Sequence, residues 1–144
     1  MKLATKYKIG VVPWSGGTGL VGGQIAPDKY SVTLSLERMN KIKNFSSINQ
    51  SIEVEAGVIL ETIHEFVGKR NFLYPLSMAS KGTCCIGGNL ATNAGGIGVL
   101  KYGNARDLCL GLEVVLADGS IMNDIKTLKT VSYTHLTLPT TEYV

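Results

Sequence analysis

Two glycine-rich segments constrain this chain more than any other feature: Pro13-Trp14-Ser15-Gly16-Gly17-Thr18-Gly19-Leu20-Val21-Gly22-Gly23 and Gly82-Thr83-Cys84-Cys85-Ile86-Gly87-Gly88-Asn89-Leu90-Ala91-Thr92-Asn93-Ala94-Gly95-Gly96. Ten of the 17 glycines fall within them. Glycine inside a regular element costs roughly 0.5–1 kcal/mol relative to alanine, so such clusters point to positive φ or to backbone laid bare against a ligand. Successive amides with little side-chain bulk form a concavity that suits an anion, and two such loops suit a ligand with a diphosphate and more to hold. Two tight turns are the simpler use of the same residues.

The first segment also spells G-x-G-x-x-G from Gly17 to Gly22, after the apolar Ile9-Gly10-Val11-Val12 and with Glu37 twenty residues beyond Gly17. A dinucleotide-binding fold would place its ribose-binding acid there, but it also needs a helix to start on the loop and return the chain to a parallel strand. Only the eight residues from Gly23 to Tyr30, Pro27 among them, separate Gly22 from the strand-like Ser31-Val32-Thr33-Leu34-Ser35-Leu36. Those residues cannot supply a crossover helix, and parallel strands need a connection of about a dozen residues or more. The dinucleotide reading is therefore rejected. No Gly-Lys-Ser/Thr occurs, so a P-loop is excluded as well.

At 144 residues, with 44% hydrophobic and 17% charged residues, the chain is of single-domain size and can bury a core. A formal charge of +3, with no long basic run and few aromatics, leaves no footprint for nucleic acid. Neither a membrane span nor a secretory signal is visible, which points to a reducing compartment: the cytoplasm, or the mitochondrial matrix in a eukaryote. The three cysteines, Cys84, Cys85 and Cys109, match neither a redox pair nor a zinc site and read as small buried or half-buried thiols. The sequons at Asn44 and Asn49 are chance matches in such a compartment.

Residues 2–8 read as the last turns of a helix leading into a strand from Ile9 to Val12. Ser31 to Leu36 alternates as a half-buried strand does, residues 38–42 run into a second strand region, and Ser51 to Gly57 forms a third. Between Val58 and Arg70, Leu60, Ile63, Phe66 and Val67 recur at helical spacing with Glu61 and Glu65 on the wet side, and Gly68 and Asn71 loosen the end. His64, inside that helix, reads as a solvent-facing or satisfied histidine rather than a base. Leu108 to Ala117 predicts a long apolar strand, and Ala117-Asp118-Gly119-Ser120 a hairpin turn into Ile121-Met122.

The Pro-x-x-Gly-Gly-Thr-Gly-Leu-x-Gly-Gly pattern of the first segment resembles the pyrophosphate loop of the vanillyl-alcohol-oxidase, or PCMH-type, FAD-binding domain. The ordered runs Tyr74-Pro75-Leu76, Lys81 to Cys84, Ile86 to Gly96, Lys101-Tyr102-Gly103 and Gly111 to Gly119 resemble the D-2-hydroxy-acid dehydrogenase branch of that family. That branch includes D-2-hydroxyglutarate dehydrogenase, D-lactate dehydrogenase and the glycolate oxidase flavin subunit. The resemblance implies an α+β fold with two α/β subdomains, present in part over residues 1–130. It implies that Met1 is an internal or truncation point, since family members carry a further strand before it. Residues 131–144 depart from the family and read as a tail of non-coding or adapter origin.

For the site, the resemblance implies FAD held without a covalent link, because Thr18 stands where tethering relatives carry histidine. Ser15, Gly16, Gly17, Thr18 and Gly19 would present amides to the pyrophosphate, with the Ser15 and Thr18 hydroxyls as donors. Pro13 would end the preceding strand, Trp14 would border the cofactor, and Leu20 would pack beneath. Gly82, Thr83, Gly87, Gly88 and Asn89 would reach the ribityl chain and pyrophosphate, with a helix starting near Ile86 aimed at the anion. Pro75, Thr92, Asn93, Gly95 and Gly96 would lie near the flavin, and Ala56 and Gly57 would form a turn beside it. The residues that handle a 2-hydroxy acid belong, in the family, to a following C-terminal domain, so no catalytic or metal residue is assigned here and the electron acceptor is not legible. The chain alone is expected to bind FAD weakly or not at all, to aggregate and not to turn over. Two other classes stay open: a flavoenzyme of the same domain type, such as a cell-wall precursor reductase or an ether-lipid synthase, and an inactive orphan fragment.

Overall fold

A computed structural model describes residues 1–125; the expected tail at 131–144 lies outside the described residues. The elements in order are α1 (Lys2–Tyr7), β1 (Gly10–Trp14), β2 (Ser31–Ser35), β3 (Ile42–Ser46), β4 (Ser51–Val54), α2 (Leu60–Gly68), α3 (Ile86–Ala91), α4 (Val99–Tyr102), α5 (Ala105–Leu108), β5 (Glu113–Val115) and β6 (Ile121–Asn123). The expected mixture of helix and strand is what the chain adopts. Among the described residues no helix is long and apolar enough to cross a membrane.

β1 and β2 pair in parallel, Gly10 opposite Ser31 through Trp14 opposite Ser35. The connection from Ser15 to Tyr30 contains no helix, as the sequence requires, yet it is long enough at sixteen residues to bring the strands into parallel register. The first glycine loop is itself part of the crossover, so the eight residues from Gly23 to Tyr30 are only half of the connection. Pro13 does not end β1 either. It sits opposite Leu34, and β1 runs on to Trp14, whose carbonyl accepts the Leu36 N–H at 2.8 Å. Among the described residues each strand of this sheet has one partner, so a residue without an N–H can be accommodated within it.

β3 and β4 form an antiparallel pair with an irregularity between Ile42 and Asn44. β5 and β6 form a second antiparallel pair around the Asp118-Gly119 turn, where Asp118 Oδ1 accepts from the Ser120 N–H and hydroxyl at 2.8 and 2.6 Å. The long strand expected from Leu108 shrinks to Glu113–Val115. Asn104 and Asp107 form a reciprocal capping box that starts α5, so Leu108 closes a helix and turns its side chain into the core instead.

Helix α2 organises the interior. Leu60, Ile63 and Val67 are buried at helical spacing. Ile63 and Val67 join Val58 and Ile86 in one cluster flanked by Phe45, Phe66 and Phe72, while Leu60 packs with Leu76, Cys84 and Ala105 in a second. Full burial of such side chains stabilises by roughly 1.5–3 kcal/mol each. The helix ends as the sequence suggests: Asn71 takes φ 61°, and the Phe72 N–H returns to Val67 O at 3.0 Å. Cys84 and Cys85 are buried and Cys109 half-buried, all free thiols.

Tyr74 packs against both clusters. Burial, and secondly the charge of Cys109, push its pKa from 10.0 up to about 12. The unfolded chain therefore releases this proton first, and stability present below pH 10 is lost as pH rises toward 12. Thermal unfolding followed across that range is expected to show the decline, and Tyr74→Phe to flatten it. An equal decline in the variant would place the sensitivity elsewhere.

Candidate functional site

The turn before α2 and the start of the second glycine segment are locked together through backbone bonds. The first N–H groups of a helix lack intrahelical partners. In α2 they are met by the other segment: Leu60 N donates to Cys84 O and Glu61 N to Lys81 O, both at 3.0 Å. The reverse pair is Ile86 N to Val58 O at 2.9 Å and Gly87 N to Ala56 O at 2.8 Å. The Lys81–Glu61 ion pair at 3.4 Å lies over this seam and, being half exposed, adds only about 0–1 kcal/mol. Gly57 is buried there and donates its N–H to Met39 O at 2.8 Å.

This arrangement corrects one expectation. The N–H groups of Ile86 and Gly87 are spent on Val58 and Ala56, and that of Gly88 on Ser15 Oγ at 3.2 Å, so α3 does not offer its first amides to an anion. Asn89 is buried, and its amide nitrogen faces Cys84 Sγ at 3.6 Å. Its side chain ties α3 to the core.

The first loop is seated on that platform. A Cβ on Gly16 would run into Thr83 O and sit 2.7 Å from Cys84 Cα, so only glycine lets the two segments touch. Gly17 takes φ 64°, a conformation that favours glycine. The N–H groups of Ser15, Gly16, Gly17, Thr18 and Gly19 have no hydrogen-bond partner among the described residues. Ser15 Oγ, already accepting from Gly88, keeps its own proton to donate. Thr18 is exposed, and so is Leu20, at 99%. Leu20 does not pack beneath the loop as expected, because the chain turns outward at Gly22, φ 75°, and leaves Leu20 and Val21 at its tip.

The structure thus brings together Ser15 to Gly19, Thr83, Gly87, Gly88, Ala56 and, one step away, Gly57. The other candidates pack elsewhere. Gly82 lies in the turn under Glu61, and Thr92 donates its hydroxyl to Gly88 O at 2.9 Å. Asn93 Oδ1 accepts from Arg106 N at 3.0 Å, while Gly95 borders Asn104 and Gly96 lies against the Ser77 backbone. Pro75 lines a cleft of about 400 Å³ with His64, Tyr74 and Tyr102. His64 donates Nε2–H to Leu76 O at 2.8 Å, a satisfied histidine as expected. Sequence reading passed over Gln24, whose side chain reaches back to Gly19 O at 2.9 Å; a lone glutamine in a loop carries no periodic signal.

Residues 1–124 match the family described as FAD binding domain, and the chain belongs to that family. Its cofactor is FAD, and its relatives are proteins of the D-2-hydroxyglutarate and D-lactate dehydrogenase kind. The mitochondrial D-2-hydroxyglutarate dehydrogenase of Rattus norvegicus is 44% identical over 124 residues, covering 86% of this chain and 23% of that protein. The D-2-hydroxyglutarate–pyruvate transhydrogenase of Saccharomyces cerevisiae is 38% identical over 129 residues, covering 90% of this chain and 26% of that protein. The solved structure of an alkyldihydroxyacetonephosphate synthase matches with TM-score 0.78 at 23% identity over 93% of this chain and 25% of its own. That likeness concerns the fold, which is the expected PCMH-type arrangement. The chain spans about a quarter of the length of the curated relatives it matches.

Proposed function

We propose that this chain is the FAD-holding part of an oxidoreductase that converts a D-2-hydroxy acid, such as D-2-hydroxyglutarate, D-lactate or glycolate, to the 2-oxo acid. One observation carries the assignment of the site: a run of five amides, Ser15 to Gly19, with no partner among the described residues, seated by Gly16 and Ser15 on the segment from Thr83 to Gly88. Successive free amides on a loop seated in this way make a concavity that suits an anion and are not occupied by the protein itself. The residues present therefore fit a diphosphate. Gly16 to Gly19 would bind it through the backbone, with the Ser15 and Thr18 hydroxyls as further donors, and the turn at Ala56-Gly57, half-buried at Ala56 and buried at Gly57, holds the platform beneath.

When bound, FAD supplies the two-electron acceptor: hydride leaves C2 of the acid and the hydroxyl proton passes to a base. The described residues bind and orient. His64, engaged with Leu76 O, is not that base. The base, the carboxylate-binding groups and the partner that reoxidises the flavin would come from the length that the relatives have beyond this match. In a eukaryote this reading puts the protein in the mitochondrial matrix, in keeping with the rat relative, whose name calls that protein mitochondrial, and otherwise in the cytoplasm. The synthase likeness leaves an ether-lipid chemistry as the second reading, but 44% identity to the rat dehydrogenase favours the first.

Thr18 cannot form the linkage that a histidine would, so the cofactor is expected to be dissociable. Precipitating the FAD-loaded protein with acid, with this sequence carried in the further length that its relatives have, should release the yellow colour into the supernatant. Flavin retained in the pellet would contradict non-covalent binding.

A further inference from the structure

We propose that Trp14 and Gln24 are positioning residues that hold the first glycine loop in its ligand-ready shape before the ligand arrives. The inference rests on the reading of that loop as the diphosphate site. Among the described residues, the N–H groups of Ser15 to Gly19 find no hydrogen-bond partner, so the loop's path is not fixed from within. Glycine also loses more freedom on ordering than any other residue, and three of these five are glycine. Support has to come from outside the run.

The platform supplies one side, through Gly16 and Ser15. Trp14 supplies another. Its backbone is anchored in β1 by the Leu36 N–H, and its indole Cζ2 and Cη2 lie 2.5 and 3.1 Å from where a Cβ of Gly17 would stand. The ring therefore closes off the side of the left-handed turn that sets the direction of the neighbouring amides. Gln24 supplies the third support: its Nε2 donates to Gly19 O at 2.9 Å, which fixes the carbonyl at the far end of the run. The Gly22 to Ile25 turn, closed by Ile25 N to Gly22 O at 3.0 Å, sets the stem from which Gln24 reaches back. Trp14 and Gln24 thus brace the two ends of a donor array whose amides they leave unoccupied.

A prop that does not touch the ligand changes the fraction of molecules competent to bind, and so lowers the apparent association rate without speeding release of the bound ligand. A residue in direct contact acts mainly on release. Stopped-flow flavin fluorescence with the full chain and FAD separates the two, using Trp14→Ala, Trp14→Phe and Gln24→Ala, with circular dichroism as the check on folding. Trp14→Ala and Gln24→Ala are each expected to slow association about tenfold with release within about twofold of the unmodified chain, and Trp14→Phe to recover most of the loss. Gln24→Ala removes one hydrogen bond from a loop and keeps the test decisive even where Trp14→Ala unfolds. Association unchanged in Gln24→Ala and Trp14→Ala, or a loss residing in release, would overturn the positioning role. Failure of FAD to bind even when this sequence is carried in the further length that its relatives have would instead overturn the assignment of the loop itself.

Discussion

Gly17→Val is expected to abolish FAD retention while leaving the secondary structure in place. Gly17 holds φ 64°, where a β-branched residue is a steric outlier. The space is closed too, with a new Cβ meeting Trp14 Cζ2 at 2.5 Å. Residues forced into such conformations cost about 1–3 kcal/mol, and this loop is anchored only at its ends and on the platform, so it would relax instead of bearing the strain. Relaxation would change the path of the backbone that carries the free amides of Gly16 to Gly19. With this sequence carried in the length that its relatives have, gel filtration after incubation with FAD, read as the ratio of flavin to protein absorbance, should show the variant stripped of flavin beside a flavin-loaded parent, with an unchanged far-ultraviolet circular dichroism spectrum. Full flavin occupancy in the variant would mean that the diphosphate site lies elsewhere.

Leu60→Ala is expected to be the most damaging truncation in the core. Leu60 is 0% exposed and packs with Leu76, Cys84 and Ala105, and its N–H caps α2 through Cys84 O. Leu→Ala changes at buried sites cost about 2–5 kcal/mol. Complete domains have only about 5–15 kcal/mol in all. The unfolding midpoint should fall by about 10 °C or more. Because the lost contacts lie where the second glycine segment meets α2, flavin affinity should fall with it. A shift of less than about 2 °C would contradict the role of α2 as organiser.

Much of this was legible in the residues because the signals were local. The periodicity of Leu60, Ile63 and Val67 marks α2, Asp118-Gly119 marks the hairpin, and the shortage of residues after Gly22 rules out a crossover helix. What was not legible depended on where backbone groups find partners. Nothing in the string Cys85-Ile86-Gly87-Gly88 indicates that its amides will be spent on Val58, Ala56 and Ser15. An apolar run from Leu108 reads as strand until the Asn104–Asp107 box starts a helix just upstream. Leu20 looks like a packing residue by type, and only the turn at Gly22 shows it pointing to solvent. Gln24 braces Gly19 through one side-chain bond, which no pattern of hydrophobicity encodes.

The central claim is that the first glycine loop, seated on the second, forms one diphosphate site for FAD. Calorimetric titration of the full chain with FAD, ADP and riboflavin tests it most directly, since ADP carries the diphosphate without the flavin and riboflavin the flavin without any phosphate. FAD and ADP should compete for a single site, weakly in this chain alone, with Ser15→Ala reducing the affinity for both and riboflavin failing to compete at equal concentration. Riboflavin binding as tightly as FAD, with ADP unable to displace either, would contradict the claim.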